Sequence, residues 1–414
     1  MTKRVVITGV GTVNALGNSV AEFWPRLLAG ETGIAKITTF DVSAFKAQIA
    51  ASVKDFAIEN WGVDKKESKR MSRFIQFAVA ASLEAVRDSG FDIKSDPEEV
   101  GVIVSSGIGG LEIIEEAHRT LLDKGPAKIS PFVVPMMIAD SASGAVSIQT
   151  GAKGVNMAIV TACASGTHSV GEAFEWIKRG QAKAVLAGGA EACITPVCLG
   201  GFCAARTLCS DSNDAPQKAC RPFDASRSGF VMGEGAGILF LEEMESALQR
   251  GAKIYAEVVG YGATGDAYHI TSPAPEGEGA ARAIKMALRE AGLTPEDIDY
   301  INAHGTSTEL NDKFETQAIA GIFGADTKVN ISSTKGALGH CLGAAGGLEA
   351  VILAKTVETE QLPPTLNYQT PDPNFPQLDF TPNKSVRRTV RAAMSNSFGF
   401  GGHNAILVFK KFQK

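Results

Sequence analysis

No stretch of this sequence stays apolar long enough to cross a bilayer; the greasiest region, Ala184 to Ala205, is broken by Glu191 and several glycines. Lys3-Arg4 ahead of Val5-Val6-Ile7 has the polarity of a secretion signal, but the apolar run is too short and no cleavage site follows. Basic residues are not in excess: the formal charge of −5 argues against a nucleic-acid partner. The seven cysteines are odd in number and contain no C-x-x-C pair. Cys193, Cys198, Cys203 and Cys209 lie close together, without the spacing of zinc ligands. A disulfide framework is therefore not expected, and a reducing, cytoplasmic setting is. Low-complexity segments are missing as well. So is a dinucleotide fingerprint: Gly9-Val10-Gly11-Thr12 closes an apolar strand, but Gly17 falls in the wrong place for the third glycine, and the stretch reads as a tight turn.

What is present is an alternation of apolar strands and amphipathic helices, with 44% hydrophobic residues to fill a sizeable core. Helices are predicted over 20–28, 65–88, 113–124, 136–150, 243–250, 279–291, 312–323 and 343–357. Strands are predicted over 4–10, 100–106, 182–186, 238–242, 300–302 and 329–332, with a strand pair at the end of the chain. This pattern argues an α/β fold with largely buried sheets. Ala256–Thr264 echoes Val5–Thr12, each a strand closed by Gly-x-Gly, which suggests two related halves, 1–251 and 252–414.

The chemistry centres on Ala158-Ile159-Val160-Thr161-Ala162-Cys163-Ala164-Ser165-Gly166-Thr167. It reads as a short strand, a sharp turn and a helix. Val170, Ala173, Phe174 and Ile177 follow at helical spacing, and Gly180 stops the pattern. Cys163 then lies at a helix start, where unpaired N–H groups and the helix dipole favour an anion, so its thiol is expected to ionise more readily than free cysteine. Two histidines occur at strand ends beside glycine-rich backbone: His304 in Asn302–Thr308, and His340 after Ser332–Gly339. Ligands of open α/β sheets bind at such strand ends, so the three residues form a plausible Cys-His-His site. The last glycine-punctuated stretch, Ser395–His403, reads as a loop whose backbone N–H groups can approach a reacting carbonyl.

At these residues the chain resembles the β-ketoacyl–acyl carrier protein synthase I/II condensing enzymes, nearest the synthase II branch of dissociated fatty acid synthesis. The marks are Thr161-Ala162-Cys163, Gly188–Glu191, Arg221-Pro222-Phe223-Asp224, Gly233–Gly237, Asn302–Thr308, Thr334-Lys335 with Gly339-His340, and Asn396–Gly402. They follow one another over essentially the whole chain. The resemblance implies a thiolase-like fold, two similar halves in five α-β-α-β-α layers, and a homodimer. It also implies acyl carrier protein as the partner, no cofactor, and decarboxylative condensation of an acyl-enzyme with malonyl carrier. A discrete polyketide or aryl-polyene ketosynthase is the alternative with the same chemistry.

By the same resemblance Cys163 is the nucleophile. His304 and His340 bind the malonyl thioester carbonyl and its enolate, and Lys335 keeps His340 neutral and oriented. The N–H groups of Cys163 and Phe400 form an oxyanion hole, and Phe400 gates the second substrate. Thr306 and Thr308 line the pantetheine tunnel; Ile108, Phe202 and Leu342 line the acyl pocket. Lys65, Lys69, Lys128 and Arg206 meet the acidic carrier. Asn302, Glu349, Ser395 and Asn396 match a structural monovalent-cation site. The chain departs from the family pattern at Gly336 and Leu338, at Asp140-Ser141, and at Cys193 and Cys198 near the acyl pocket.

Overall fold

The computed structural model describes residues 2–413. Among these, ten strands form one continuous central sheet. They are numbered here in chain order: β1 Val5–Asn14, β2 Val100–Ser105, β3 Asn156–Met157, β4 Ala184–Glu191, β5 Gly235–Glu243, β6 Ala256–Gly265, β7 Tyr300–Asn302, β8 Asn330–Ser332, β9 Ala392–Gly399 and β10 His403–Lys410. The spatial order is β3-β2-β4-β5-β1-β6-β10-β9-β7-β8. Read outward from the centre, each half repeats one plan: its first strand, then its fifth, fourth, second and third. Directions repeat too. The inner pairings are antiparallel, and the outer ones, β4–β2–β3 and β9–β7–β8, are parallel. The halves join where Val5–Ile7 pair antiparallel with Ala256–Val258.

Six helices make the layers: α1 Arg73–Ser89, α2 Ser141–Thr150, α3 Ser165–Lys178, α4 Glu278–Ala291, α5 Glu309–Phe323 and α6 Ala345–Thr359. α1 and α2 cover the outer face of the first half, and α4, packed on α5, covers that of the second. α3 and α6 are sandwiched between the halves and touch strands of both, which gives the five layers that the resemblance implies. Their core joins Val170, Ala173, Phe174 and Ile177 of α3 to Ala350, Val351, Leu353, Ala354 and Val357 of α6. The predicted apolar spacing in α3 is thus its packing face.

The two Gly-x-Gly stretches are not turns. β1 runs on to Asn14 and β6 to Gly265. A Cβ on Gly9 or Gly11 would run into the carbonyl oxygens of Ala85 and Ala81 in α1, and one on Gly260 or Gly262 into those of Ala287 and Ala283 in α4. Glycine lets a helix lie directly on each strand, and its recurrence marks the repeat.

Other boundaries shift for tertiary reasons. The helix predicted over 65–88 is broken into Lys65–Ser68 and α1, because Arg73 N–H donates to Glu112 Oε1 at 3.1 Å and starts a new helix. The predicted 136–150 helix is likewise split into Val133–Met137 and α2. Ser395–Gly399 belong to β9, paired with His403–Leu407, so only Phe400–Gly402 form the turn. Gly336 and Leu338 face away from the site. Leu338 is buried with Leu16, Phe23, Trp24, Leu27 and Leu366, and Leu366 packs where a side chain at 336 would stand. Asp140 is exposed at the N-cap of α2, which begins at Ser141.

Gly11→Ala and Gly262→Ala should each lower the thermal midpoint, with a cost of about 1–3 kcal/mol for forcing strand and helix apart. Calorimetry on the two variants checks this; an unchanged midpoint in both would contradict the close-packing account.

Candidate active site

The nucleophile turn leaves the sheet at β3. The strand predicted over Ala158–Val160 is not formed, because Ile159 N–H donates to Ser105 Oγ at 2.7 Å instead of to a neighbouring strand. Ala162–Ala164 make one 3₁₀ turn before α3. Ala162 has φ of 50°, the left-handed region that a residue with a Cβ rarely occupies. Cys163 follows it, buried, with its thiol on the cavity wall. The expected easy ionisation is overturned. Burial pushes the Cys163 thiol up to about 12, although Lys335 and the Phe400 N–H pull the other way. Taking a thiolate out of water costs more than a helix start returns.

His304 follows β7. Its N–H and that of Gly305 donate to the Glu315 carboxylate at 2.8 and 2.7 Å, and Asn396 Nδ2 donates to the same group at 3.1 Å. Burial raises the Glu315 carboxyl to about 7. His340 follows β8 and the short helix Lys335–Leu338; it donates its N–H to Val231 O at 2.7 Å. The two imidazoles stand edge to face with centroids 5.2 Å apart. Phe230 packs on His340 and Phe398 on His304, at 5.3 and 5.6 Å. Burial first, and the Lys335 charge second, hold both imidazoles well below the ordinary histidine range, so both are neutral near pH 7. Both Nδ1 atoms are buried without a hydrogen-bond partner.

Lys335 lies behind the histidines. Its ammonium pairs with Glu349 of α6, and both groups are buried. The expectation that Lys335 orients His340 is corrected: its hydrogen bond goes to Glu349, and it acts on both imidazoles through charge.

β9 brings the third wall. A Cβ on Gly399 would fall 2.6 Å from Thr161 O and 3.2 Å from Cys163 N, so only glycine lets this strand end touch the nucleophile turn. Phe400 follows directly on Gly399, and its N–H is among the influences that favour a charged Cys163 thiol. Phe400 itself is 37% exposed at the cavity, on a turn tied down by Gly401 N–H to Ile270 O at 2.7 Å.

These pieces surround a cavity of about 610 Å³. Cys163, His304, His340, Phe400, Thr306, Thr308, Ile108, Phe202, Leu342 and Arg206 all line it. Lys65, Lys69 and Lys128 are exposed but do not. Arg70, stacked 5.0 Å over the Phe132 ring, ties the Lys65–Arg70 stretch to the segment that carries Lys128. Cys193 and Cys198 are buried in one cluster with Cys163, Leu342, Phe230 and Phe202.

Sequence reasoning did not assign Phe230 or Phe398, nor the anchoring carboxylates. Glu191 accepts from Gly107 N–H at 2.8 Å, Ser106 Oγ at 2.6 Å and Gly343 N–H at 3.0 Å, which joins the segments that carry Ile108 and Leu342. It ends the Gly188–Glu191 motif, but its partners are far off in the chain.

No cluster of three or more His, Cys, Asp or Glu suited to a metal ion occurs among the described residues. The candidate monovalent-cation residues are of another kind. Asn302 pairs with Ser395 across β7 and β9. Both amide atoms of Asn302, Ser395 Oγ and Asn396 Oδ1 are buried with no partner. Unpaired buried oxygens are costly, and these neutral donors suit a hard, singly charged cation.

Two family models divide the chain: Beta-ketoacyl synthase, N-terminal domain, over residues 2–247, and Beta-ketoacyl synthase, C-terminal domain, over residues 255–369. The chain belongs to the β-ketoacyl synthase family. It is 52% identical over 413 residues to the 3-oxoacyl-[acyl-carrier-protein] synthase 2 of Staphylococcus aureus, covering 99% of each chain. Among solved structures it is similar to the ishigamide ketosynthase/chain length factor, with a TM-score of 0.93, 37% identity and full coverage of both chains. A type II polyketide ketosynthase in complex with its acyl carrier protein matches at a TM-score of 0.91 and 35% identity, again over both full chains.

A thiol held protonated by burial should react faster with iodoacetamide by about tenfold per pH unit, from about pH 7 to about pH 10. Mass spectrometry of the peptide carrying Cys163 reads the rate; a plateau below about pH 8.5 would show a stabilised thiolate instead.

Proposed function

We propose that the chain is an elongating 3-oxoacyl-[acyl-carrier-protein] synthase of dissociated fatty acid synthesis, an acyltransferase that works through an acyl-Cys163 thioester. The observation that carries this is the pairing of one buried thiol with two neutral imidazoles on a single apolar cavity. The Cys163 sulfur attacks the acyl thioester carbonyl while the N–H groups of Cys163 and Phe400 hold the tetrahedral oxyanion; its collapse breaks the bond to the carrier sulfur, which leaves as the thiol with the proton that Cys163 gives up. Malonyl carrier then enters past Phe400, with its pantetheine arm along Thr306 and Thr308. His304 and His340 bind its thioester oxygen. Loss of carbon dioxide leaves an enolate stabilised by these donors, and the enolate carbon attacks the acyl-enzyme and frees Cys163. Neutral imidazoles suit this role, since the charge that develops in the substrate is met by fixed donors and no cofactor is called on. Ile108, Phe202 and Leu342 receive the acyl chain.

In this reading 1–251 is the half with the nucleophile and 252–414 the half with the histidines; the repeated strand order supports it. A homodimer is supported by where apolar surface lies. Of the large hydrophobic side chains exposed on the single chain, Ile108, Ile114, Leu121, Leu122, Phe132 and Ile148 fall on one sequence stretch that also holds the open edge strand β3. A second copy would cover Ile108 at the pocket. Lys65, Lys69, Lys128 and Arg206 are the basic groups for an acidic carrier. A structural monovalent cation would be held by Asn302, Glu349, Ser395 and Asn396. Free cysteines throughout the described residues fit the cytoplasm, and no described helix is long and apolar enough to cross a membrane.

Cys163→Ala should abolish condensation while malonyl-carrier decarboxylation stays measurable. His304→Ala should still acylate, but decarboxylation should fall by about 100- to 1000-fold. Labelled carbon dioxide release and mass spectrometry of the acyl-enzyme read the two steps; a folded Cys163→Ala protein that releases none would contradict this division.

A further inference from the structure

Ala162 carries a strained backbone next to the nucleophile, and such strain persists only where its surroundings over-determine it. Two side chains from the first turns of α3 do so. Thr161 N–H donates to Ser165 Oγ at 2.9 Å, and Ser165 Oγ donates to Ala162 O at 2.7 Å. His168 Nδ1 lies 3.1 Å from Ala164 O and 2.9 Å from Thr161 Oγ1. A carbonyl can only accept, so the contact with Ala164 O assigns the proton to Nδ1, and this one N–H is shared with Thr161 Oγ1 across the two ends of the turn. His168 is buried, and its ring meets those of Tyr261 and His403 edge to face at 6.2 and 6.5 Å. Burial holds its pKa down to about 4, so the ring is neutral in the working range.

The repeat supplies an internal comparison. Leu342–Ala344 form the matching 3₁₀ turn before α6, with Leu342 at φ of 47°. Ala345 and Leu348 stand where the nucleophile turn has Ser165 and His168, and neither side chain can hydrogen-bond. That turn is clamped from outside, by Glu191 on Gly343 N–H at 3.0 Å. The copy with the nucleophile is braced from its own helix.

We infer that Ser165 and His168 are positioning residues for acyl transfer, which hold the Thr161–Ala164 turn so that the Cys163 thiol and its N–H face the cavity together with the Phe400 N–H. Neither takes a proton from substrate. The brace belongs to the nucleophile turn and not to the imidazole pair, so its loss separates the two half-reactions. This inference rests on the condensing-enzyme reading.

The test is acylation of Cys163 by octanoyl-carrier protein, read by mass spectrometry, beside malonyl-carrier decarboxylation on the same preparations. His168→Leu should slow acylation by about 10- to 100-fold. Its decarboxylation should stay within about threefold of the unaltered protein. His168→Asn returns an N–H near the Nδ1 position and should restore most of the acylation rate. Should His168→Leu fail to fold, Ser165→Ala takes its place, with the same split expected. Equal loss of both steps, unchanged acylation, or no difference between the Asn and Leu variants would overturn the inference. An unaltered protein that neither acylates nor decarboxylates would overturn the condensing-enzyme reading itself.

Discussion

A single buried positive charge organises this site. Lys335 stands behind both imidazoles with its ammonium paired to Glu349, sealed from water on every side. A buried ion pair of this kind adds little net stability, because desolvation consumes most of the attraction. Its value lies in what it does to its neighbours. It disfavours a proton on His304 and on His340, and it lowers the thiol of Cys163 against the larger opposing effect of burial. Removing Glu349 would leave the ammonium unpaired, and removing Lys335 would leave a buried carboxylate; either way the field at the histidines changes.

Duplication explains how such a site is assembled. One strand plan, used twice, puts the ends of β3, β7 and β8 around a shared centre, and the two helices after the strained 3₁₀ turns fill the middle layer. The first copy supplies the thiol. The second supplies the imidazoles and the charge behind them. β9, also from the second copy, reaches across to the first at Gly399, where it lies against Thr161, Cys163 and Ala164. Chain order therefore separates residues by more than a hundred positions that the sheet brings onto one cavity.

Much of this is legible in the sequence, and the exceptions have physical causes. The strand–helix alternation, the apolar face of α3 and the glycine-marked echo of β1 in β6 are local patterns, and they give the architecture. Cys163, His304 and His340 are recognisable because each sits in a distinctive short motif. Glycine misleads at 9 and 11, since the same residue serves a turn and a strand pressed onto a helix, and only the position of α1 decides between them. The break before Arg73 depends on Glu112, and the missing strand at Ala158–Val160 on Ser105; both partners are remote in sequence. The thiol's state has the opposite sign from its helix-start reading, because burial depth is a property of the whole fold. Nearness in sequence assigns Lys335 to His340, whereas its hydrogen bond goes to Glu349, on the next helix.

His304 and His340 are both neutral donors, held so by burial and by Lys335. Nitrogen-15 NMR of the protein labelled at its six histidines, between about pH 5.5 and about pH 8, tests this most directly. With resonances assigned through His304→Gln and His340→Gln, both imidazoles should show neutral-form shifts that do not titrate in this range. An imidazolium signal at either residue near neutral pH would contradict the account.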